Sequence, residues 1–436
     1  MRVPGKEQGF VKKKNLESID YMRQKILMKN LNKSFLKFYI EKDIEIFQNG
    51  GWHFNSIISA SEISKKLKTF GLKKGDYTFG IVTNSVESIE LMLAVTSLGA
   101  VWSSCSPDFG AQGLFERISL IKPKILFYHS FYTYKDKSYD ISKSIEKCLP
   151  AFIETHTFVS LGKKDSPTEW SPPIAHFYED IMKEELDYKN IKSSLKFEAL
   201  SFSDPLYIMF SSGTTGKPKC ILHSVGGTLL QHKKELILHC NLKKSETLMF
   251  YTSCSWMMWN WMVSTLSTGG KLVLYEGSPS YPNPLSYWNI TEKEKVNILG
   301  TSPAYLSYCQ KSNEKPLPNF PDLKCLLSTG SPLLPEHFSW VYSKLKKNIH
   351  LASISGGTDI LSCFVLGNPN RPVYSGEIQV AGLGMAVEVR KKNSQGELVC
   401  TKPFVSMPIG FLHDPKGEKY YKSYFTDFEE EIWKHG

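Results

Sequence analysis

The stretch FSSGTTGKPK, Phe210–Lys219, places hydroxyl and glycine residues directly ahead of a lysine and directly behind an apolar run, Leu206–Met209. Gly213 and Gly216 let a backbone come close to a ligand, because neither carries a Cβ. The hydroxyls of Ser211, Ser212, Thr214 and Thr215 add donors, and Lys217 adds charge, so the turn can wrap phosphate oxygens. It is not a Walker A loop: that motif has four residues between its glycines and a Ser or Thr after its lysine. Here two residues separate the glycines and Pro218 follows Lys217. The competing reading is a solvated Ser/Gly turn between a strand and a helix. A position just after a hydrophobic strand, with Lys217 and a second cation at Lys219, favours phosphate.

Working outward, the runs LYIMFSS, TLMFYTS, KLVLYEG, VNILGTS, LKCLLSTGS and HLASIS between Leu206 and Ser355 are each separated by a helix-length segment. That alternation predicts a parallel, doubly wound sheet. Ligands of such sheets sit at the carboxyl ends of the strands, and Ser211–Thr215, Ser328–Ser331 and Ser355–Thr358 all follow apolar runs. Upstream, DYTFGIVT from Asp76 reads as a strand. Asn84 with Glu87 forms a capping box, and Leu91, Ala94, Val95 and Leu98 recur at helical spacing. KILFYHS from Lys124 reads as another strand. Beyond Arg371, SGEIQVAG, AVEVRKK and GELVCTKP read as short antiparallel strands with glycine turns. The predicted fold class is α/β: two doubly wound, mostly parallel sheets with helices, plus a small antiparallel β subdomain. The divisions fall at 1–66, a polar Lys-rich segment with one helical candidate at Leu16–Met28, then 67–200, 201–370 and 371–436.

A chain of 436 residues with 41% hydrophobic residues is long enough for large cores and argues against disorder. The 53 basic and 43 acidic residues leave a formal charge of +10. The basic residues are scattered in pairs and triplets without an aromatic-plus-basic recognition pattern, so a nucleic-acid partner is not expected. The nine cysteines include no C-x₂₋₄-C pair, the histidines no metal-ligand spacing, and no G-x-S-x-G elbow occurs. His223 and the other histidines are expected to be structural or solvated. The N-terminus lacks an apolar signal region, and no uncharged apolar run reaches the roughly eighteen residues of a membrane helix. The expectation is a reduced, cytoplasmic protein without a membrane partner; its oligomeric state is not legible.

YIMFSSGTTGKPKCILHS resembles the phosphate-loop signature of the AMP-forming adenylating enzymes, the superfamily of acyl-CoA synthetases, luciferases and peptide-synthetase adenylation domains. VWSSCSPDFG, SWMMWNWMVSTL, LVLYEGSP, SISGGTDI, AGLGMAVEV and GELVCTKPFVSMPIGF most closely resemble the acetoacetyl-CoA synthetase branch. The likeness runs from about Leu67 to the last residue. It implies an acid-CoA ligase. Acetoacetate would attack the α-phosphorus of ATP, with Mg²⁺ as cofactor, to give an acyl-adenylate and pyrophosphate, and the thiol of coenzyme A would then displace AMP to form the thioester.

Carried over by resemblance, Ser211, Ser212, Gly213, Thr214, Thr215, Gly216 and Lys217 would hold the β- and γ-phosphates. Gly330, Ser331 and Pro332 would contact adenine, and Gly357 and Thr358 would lie beside the α-phosphate. Lys217 and Thr358 would be catalytic. Asp359 stands where the superfamily usually has a magnesium-binding glutamate; the alternative for it is helix capping after a glycine turn. Trp256, Met257 and Met258 match the acyl channel, although Trp256, Trp259 and Met262 at helical spacing read equally as plain core. Gly356 stands where acetate-specific relatives carry a tryptophan, so its missing side chain is expected to leave room for a longer acid. After the final residues, EEEIWKHG, the resemblance would continue into a ribose-binding aspartate, a hinge and a small C-terminal domain carrying a lysine. Because these are absent from the sequence, weak nucleotide binding and little turnover are expected of this chain. The alternatives are a non-catalytic adenylate-binding module and a ligase for another short or medium-chain acid.

Overall fold

The computed structural model describes residues 53–162, 170–172, 175–182, 197–211, 218–312, 317–392, 395–428 and 432–435. The helical candidate at Leu16–Met28 and residues 212–217 of the phosphate-loop motif lie outside the described residues.

Strands Val101–Cys105 and Ile125–Tyr128 are buried at every position, which is the pattern of parallel strands covered on both faces. They belong to an eight-stranded sheet whose order is Gly410–Phe411, Lys219–Ser224, Pro205–Ser211, Val101–Cys105, Tyr77–Ile81, Ile125–Tyr128, Thr157–Ser160, Ala175–Phe177. Pairing is parallel from Pro205–Ser211 to Ala175–Phe177 and antiparallel at the two strands beyond Pro205–Ser211. A second, five-stranded sheet is wholly parallel, in the order Lys271–Val273, Thr247–Phe250, Ile298–Thr301, Cys325–Ser328, His350–Ser353. Beyond it, Val387–Lys392, Gln395–Cys400 and Trp433–Lys434 form an antiparallel sheet, as expected for AVEVRKK and GELVCTKP, whereas Val380–Ala381 of SGEIQVAG pairs instead with Ser362–Leu366. The architecture is the expected α/β one. Among the described residues no helix is long and apolar enough to cross a membrane.

Two local expectations are corrected. The Pro205–Ser211 strand pairs with Val101–Cys105 of the first sheet and not with the parallel run that follows it in sequence. The segment after the phosphate-loop motif is not a helix either. Lys219–Ser224 returns as a strand antiparallel to Pro205–Ser211, with Ser211 opposite Lys219, and Val225–Lys234 becomes helical only after Ser224 caps it by accepting from the Gly227 N–H (3.1 Å). The motif therefore joins the arms of a hairpin.

The cap before Val86–Ser97 is also displaced by one residue. Ser85, not Asn84, accepts from the Ser88 N–H. Asn84 is occupied instead by the helix Met257–Val263 and by the segment that follows the strand Lys271–Val273. Its amide donates to the Tyr275 carbonyl (3.1 Å), its Oδ1 accepts from Trp259 Nε1 (3.0 Å), and its backbone N–H donates to Glu276 (2.8 Å). These buried bonds pin the first sheet to the helix Met257–Val263, so the residues that flank the site are held from both sides.

Candidate active site

The helix Met257–Val263 is buried along its whole length. Trp259, Trp261 and Met262 are at most 1% exposed and belong to the core, while Trp256, Met257 and Met258 line a cavity of about 460 Å³. Of the aromatic and methionine stripe, Trp259 and Met262 are core, and Trp256 borders the cavity. The cavity opens where strands of the second sheet end. Thr329–Leu333 follows Cys325–Ser328, and Ile354–Thr358 follows His350–Ser353. This is the crevice where parallel sheets bind ligands, and the volume lies within the ~300–1,000 Å³ of small-molecule sites. Gly330 takes φ 96, a left-handed conformation open to glycine, and faces the Trp256 ring, which a Cβ there would meet at 3.7 Å.

The cavity thus gathers Trp256, Met257, Met258, Gly330, Ser331, Pro332, Gly356, Gly357 and Thr358 from the sequence reading. Ser211 is described at the end of its strand, but does not line the cavity. Residues Ser212–Lys217 fall outside the described residues. Lys219, the second cation, sits 5.6 Å from the centre of the Tyr424 ring and 5.9 Å from that of Phe411.

Gly356 departs from expectation. It pairs with Cys363 across a bulged antiparallel hairpin, and a Cβ built on it would lie 1.9 Å from the Ser362 carbonyl oxygen and 2.6 Å from Cys363 Cα. The room attributed to a missing side chain is taken by the neighbouring strand. Glycine is required here by backbone approach.

Asp359 is 5% exposed and is not part of the cavity wall. Tyr424 donates its hydroxyl to Oδ1 (2.5 Å), and His435 Nδ1 stands 3.7 Å from Oδ2. Burial holds His435 below its ordinary value, although Asp359 and Glu397 pull it upward. The carboxylate is not a helix cap: the contacts of its oxygens are with Tyr424 and His435. The Oδ2 side is covered by the His435 ring: a Cβ on Gly357 would sit 3.3 Å from Oδ2 but only 2.8 Å from His435 Cε1. A magnesium ion that keeps water and phosphate ligands needs only one or two carboxylates, but Asp359 lies off the cavity wall with its oxygens faced by Tyr424 and His435, so the residues as placed do not fit such a group. Among the described residues there is no cluster of three or more His, Cys, Asp and Glu that could hold a metal alone.

Several residues around the site carry no sequence signal. Tyr424 and His435 come from the far end of the chain. His223, on the hairpin's return strand, is fully buried and hydrogen-bonds the Thr358 backbone; it is structural and not solvated. Glu235, also fully buried, opens a π-helical turn behind the hairpin Ser355–Leu366. His223 is pushed down to about 3 and His232 and His129 to about 4, in each case chiefly by burial.

The sign of the resulting pH dependence follows. Above about pH 6.5 these rings are neutral in both states and leave stability unchanged. As pH falls below that value, the unfolded chain takes up protons the folded chain refuses. Each ring can then remove up to about 1.4 kcal/mol per pH unit until its folded value is reached. Urea titrations are expected to give a plateau above neutrality and a decline from pH 6 to 4.5; equal midpoints at pH 7 and 5 would contradict this.

The profile of the AMP-binding enzyme family matches residues 59–408. The chain belongs to this family. Acetoacetyl-coenzyme A synthetase of Rhizobium meliloti is 44% identical over 388 residues, covering 86% of this chain and 58% of the relative. Acetoacetyl-CoA synthetase of Mus musculus is 42% identical over 381 residues, covering 85% and 56%. In three dimensions the chain is similar to a solved acetoacetyl-CoA synthetase from Streptomyces lividans, with a TM-score of 0.80 and 33% identity over 88% of this chain and 59% of that one. This AMP-binding chain therefore spans just over half the length of the relatives it matches.

Proposed function

We propose that this AMP-binding chain is the nucleotide- and acid-binding part of an AMP-forming acid-CoA ligase, with acetoacetate, ATP and coenzyme A as its small-molecule substrates. The observation that carries this reading is the convergence of Trp256–Met258, Gly330–Pro332 and Gly356–Thr358, far apart in sequence, on one cavity at the carboxyl edge of a parallel sheet. The turn at Gly330–Pro332 would contact adenine, with the Trp256 ring of the acyl wall beside it. Thr358, on the cavity wall with its backbone bonded by His223, would offer its hydroxyl to the α-phosphate. Met257 and Met258 supply an apolar wall for a short acyl chain. The motif Ser211–Lys217 supplies donors and positive charge for the outer phosphates, which lowers the cost of bringing a carboxylate to an anionic phosphate. The nine cysteines are free and buried, which suits a reducing, cytoplasmic setting.

Acetoacetate is favoured by the names of the relatives, and Gly356 lends it no support. The substrate is tested by calorimetry with 5′-O-(N-acylsulfamoyl)adenosines, stable mimics of acyl-adenylates. The 3-oxobutanoyl compound is expected to bind about tenfold or more tighter than the acetyl compound, the scale of discrimination that small changes in an apolar pocket allow. Tighter binding of the acetyl compound would contradict acetoacetate as substrate.

A further inference from the structure

Glu235 is a carboxylate in the protein interior that the chemistry above does not use. Its surroundings are all donors. Oε1 accepts from Ser362 Oγ (2.6 Å), Gln231 Nε2 (2.9 Å) and the Cys363 backbone N–H (3.3 Å), and Oε2 accepts from Trp261 Nε1 (2.8 Å). Gln231 Nε2 also reaches Ser362 Oγ (2.9 Å), closing the network. An acceptor-only carboxylate is the side chain that satisfies such a set. Burial pushes the Glu235 carboxyl up from its ordinary value, and a buried polar group of this kind adds little stability that well-packed apolar residues would not supply.

Apart from Gln231, these donors lead to the cavity. Ser362 and Cys363 line it, and their backbone fills the space beside Gly356. Trp261 belongs to the helix Met257–Val263, whose first turn supplies Met257 and Met258 to the same cavity. One carboxylate therefore links two walls, one through Trp261 and the other through Ser362 and Cys363. It does so from the first residue of a π-helical turn, Glu235–His239, a local irregularity often found at functional sites.

We propose that Glu235 is a positioning residue that sets the separation of these two walls and thereby the length of acyl chain the cavity accepts. The proposal rests on the reading of this cavity as an acyl-adenylate site. Glu235→Asp withdraws the carboxylate by one methylene, so it cannot hold both walls at their present distance.

The test measures binding of AMP and of the 3-oxobutanoyl and 3-oxohexanoyl sulfamoyladenosines to the 436-residue chain and its variants. Wild type is expected to favour the shorter compound. In Glu235→Asp that preference is expected to fall by about tenfold, with AMP affinity unchanged within about twofold, because the acyl-free ligand does not reach these walls. A purely structural role would move the melting temperature, or all three affinities together, and leave the preference intact; an intact preference in a cooperatively folded variant overturns the proposal. If Glu235→Asp does not fold, Ser362→Ala removes one link alone and is held to the same standard, a reduced preference supporting the role and an unchanged one overturning it. Failure of the wild type to bind any of the three ligands would overturn the site reading itself. Wild-type binding with an unmoved preference in the variants would overturn only the role of Glu235.

Discussion

Gly356→Val is expected to destabilise the protein by at least about 3 kcal/mol, and Gly356→Ala nearly as much. The first added atom already meets backbone: 1.9 Å to the Ser362 oxygen, 2.7 Å to its carbonyl carbon and 2.6 Å to Cys363 Cα. Side chains can rotate away from an intruder, which is why ordinary overpacking costs about 1–3 kcal/mol. A paired strand cannot do so without breaking its register, here Gly356 with Cys363 and Gly357 with Ser362. Displacing that strand also strains the bonds from Glu235 to Ser362 and Cys363. Against a total stability of about 5–15 kcal/mol such a loss is severe. Gly110→Ala is the matched control, since a Cβ there has nothing within 4 Å, and it is expected to stay within about 0.5 kcal/mol of wild type. Urea unfolding of the three variants checks this; a Gly356→Ala midpoint equal to that of Gly110→Ala would mean that the strand yields freely.

The second large effect is on nucleotide binding. Lys217→Ala is expected to weaken ATP binding by roughly 10- to 100-fold, corresponding to the ~1.5–3 kcal/mol of a hydrogen bond to a charged group. AMP affinity is expected to change little. The difference matters because the proposed role of Lys217 concerns the β- and γ-phosphates, which AMP lacks. Calorimetry with both nucleotides at fixed ionic strength measures it, since part of any phosphate affinity is screened by salt. An equal loss for ATP and AMP would move Lys217 to the α-phosphate or to a structural role.

Most strands were legible because each is a short apolar run bounded by turn residues, and Ile125–Tyr128, within KILFYHS, is indeed buried throughout; Val101–Cys105, with two serines in five residues, did not read as a strand. Which strand pairs with which was less so. Nothing in LYIMFSS or KCILHS states that they pair with each other, or that the first joins Val101–Cys105, because pairing depends on contacts far apart in the chain. Asn84 and Ser85 are both good cap residues, and the choice between them was made by Trp259 and Tyr275, more than 170 positions away. At the site, the small-residue turns after strands pointed to the cavity. Glu235 did not stand out, since in HKKELILH it reads as one more charged helical position. Its burial comes from Ser362 and Cys363, which only the folded chain brings to it. The expectation for Gly356 failed for a related reason: a missing side chain creates space only where no other backbone fills it.

Photolabelling with 8-azido-AMP followed by peptide mapping tests most directly whether this cavity holds the nucleotide. Label is predicted on the peptides carrying Trp256 and Thr329–Leu333, and excess AMP should remove it. Label confined to other peptides, or label that AMP does not displace, would contradict the account.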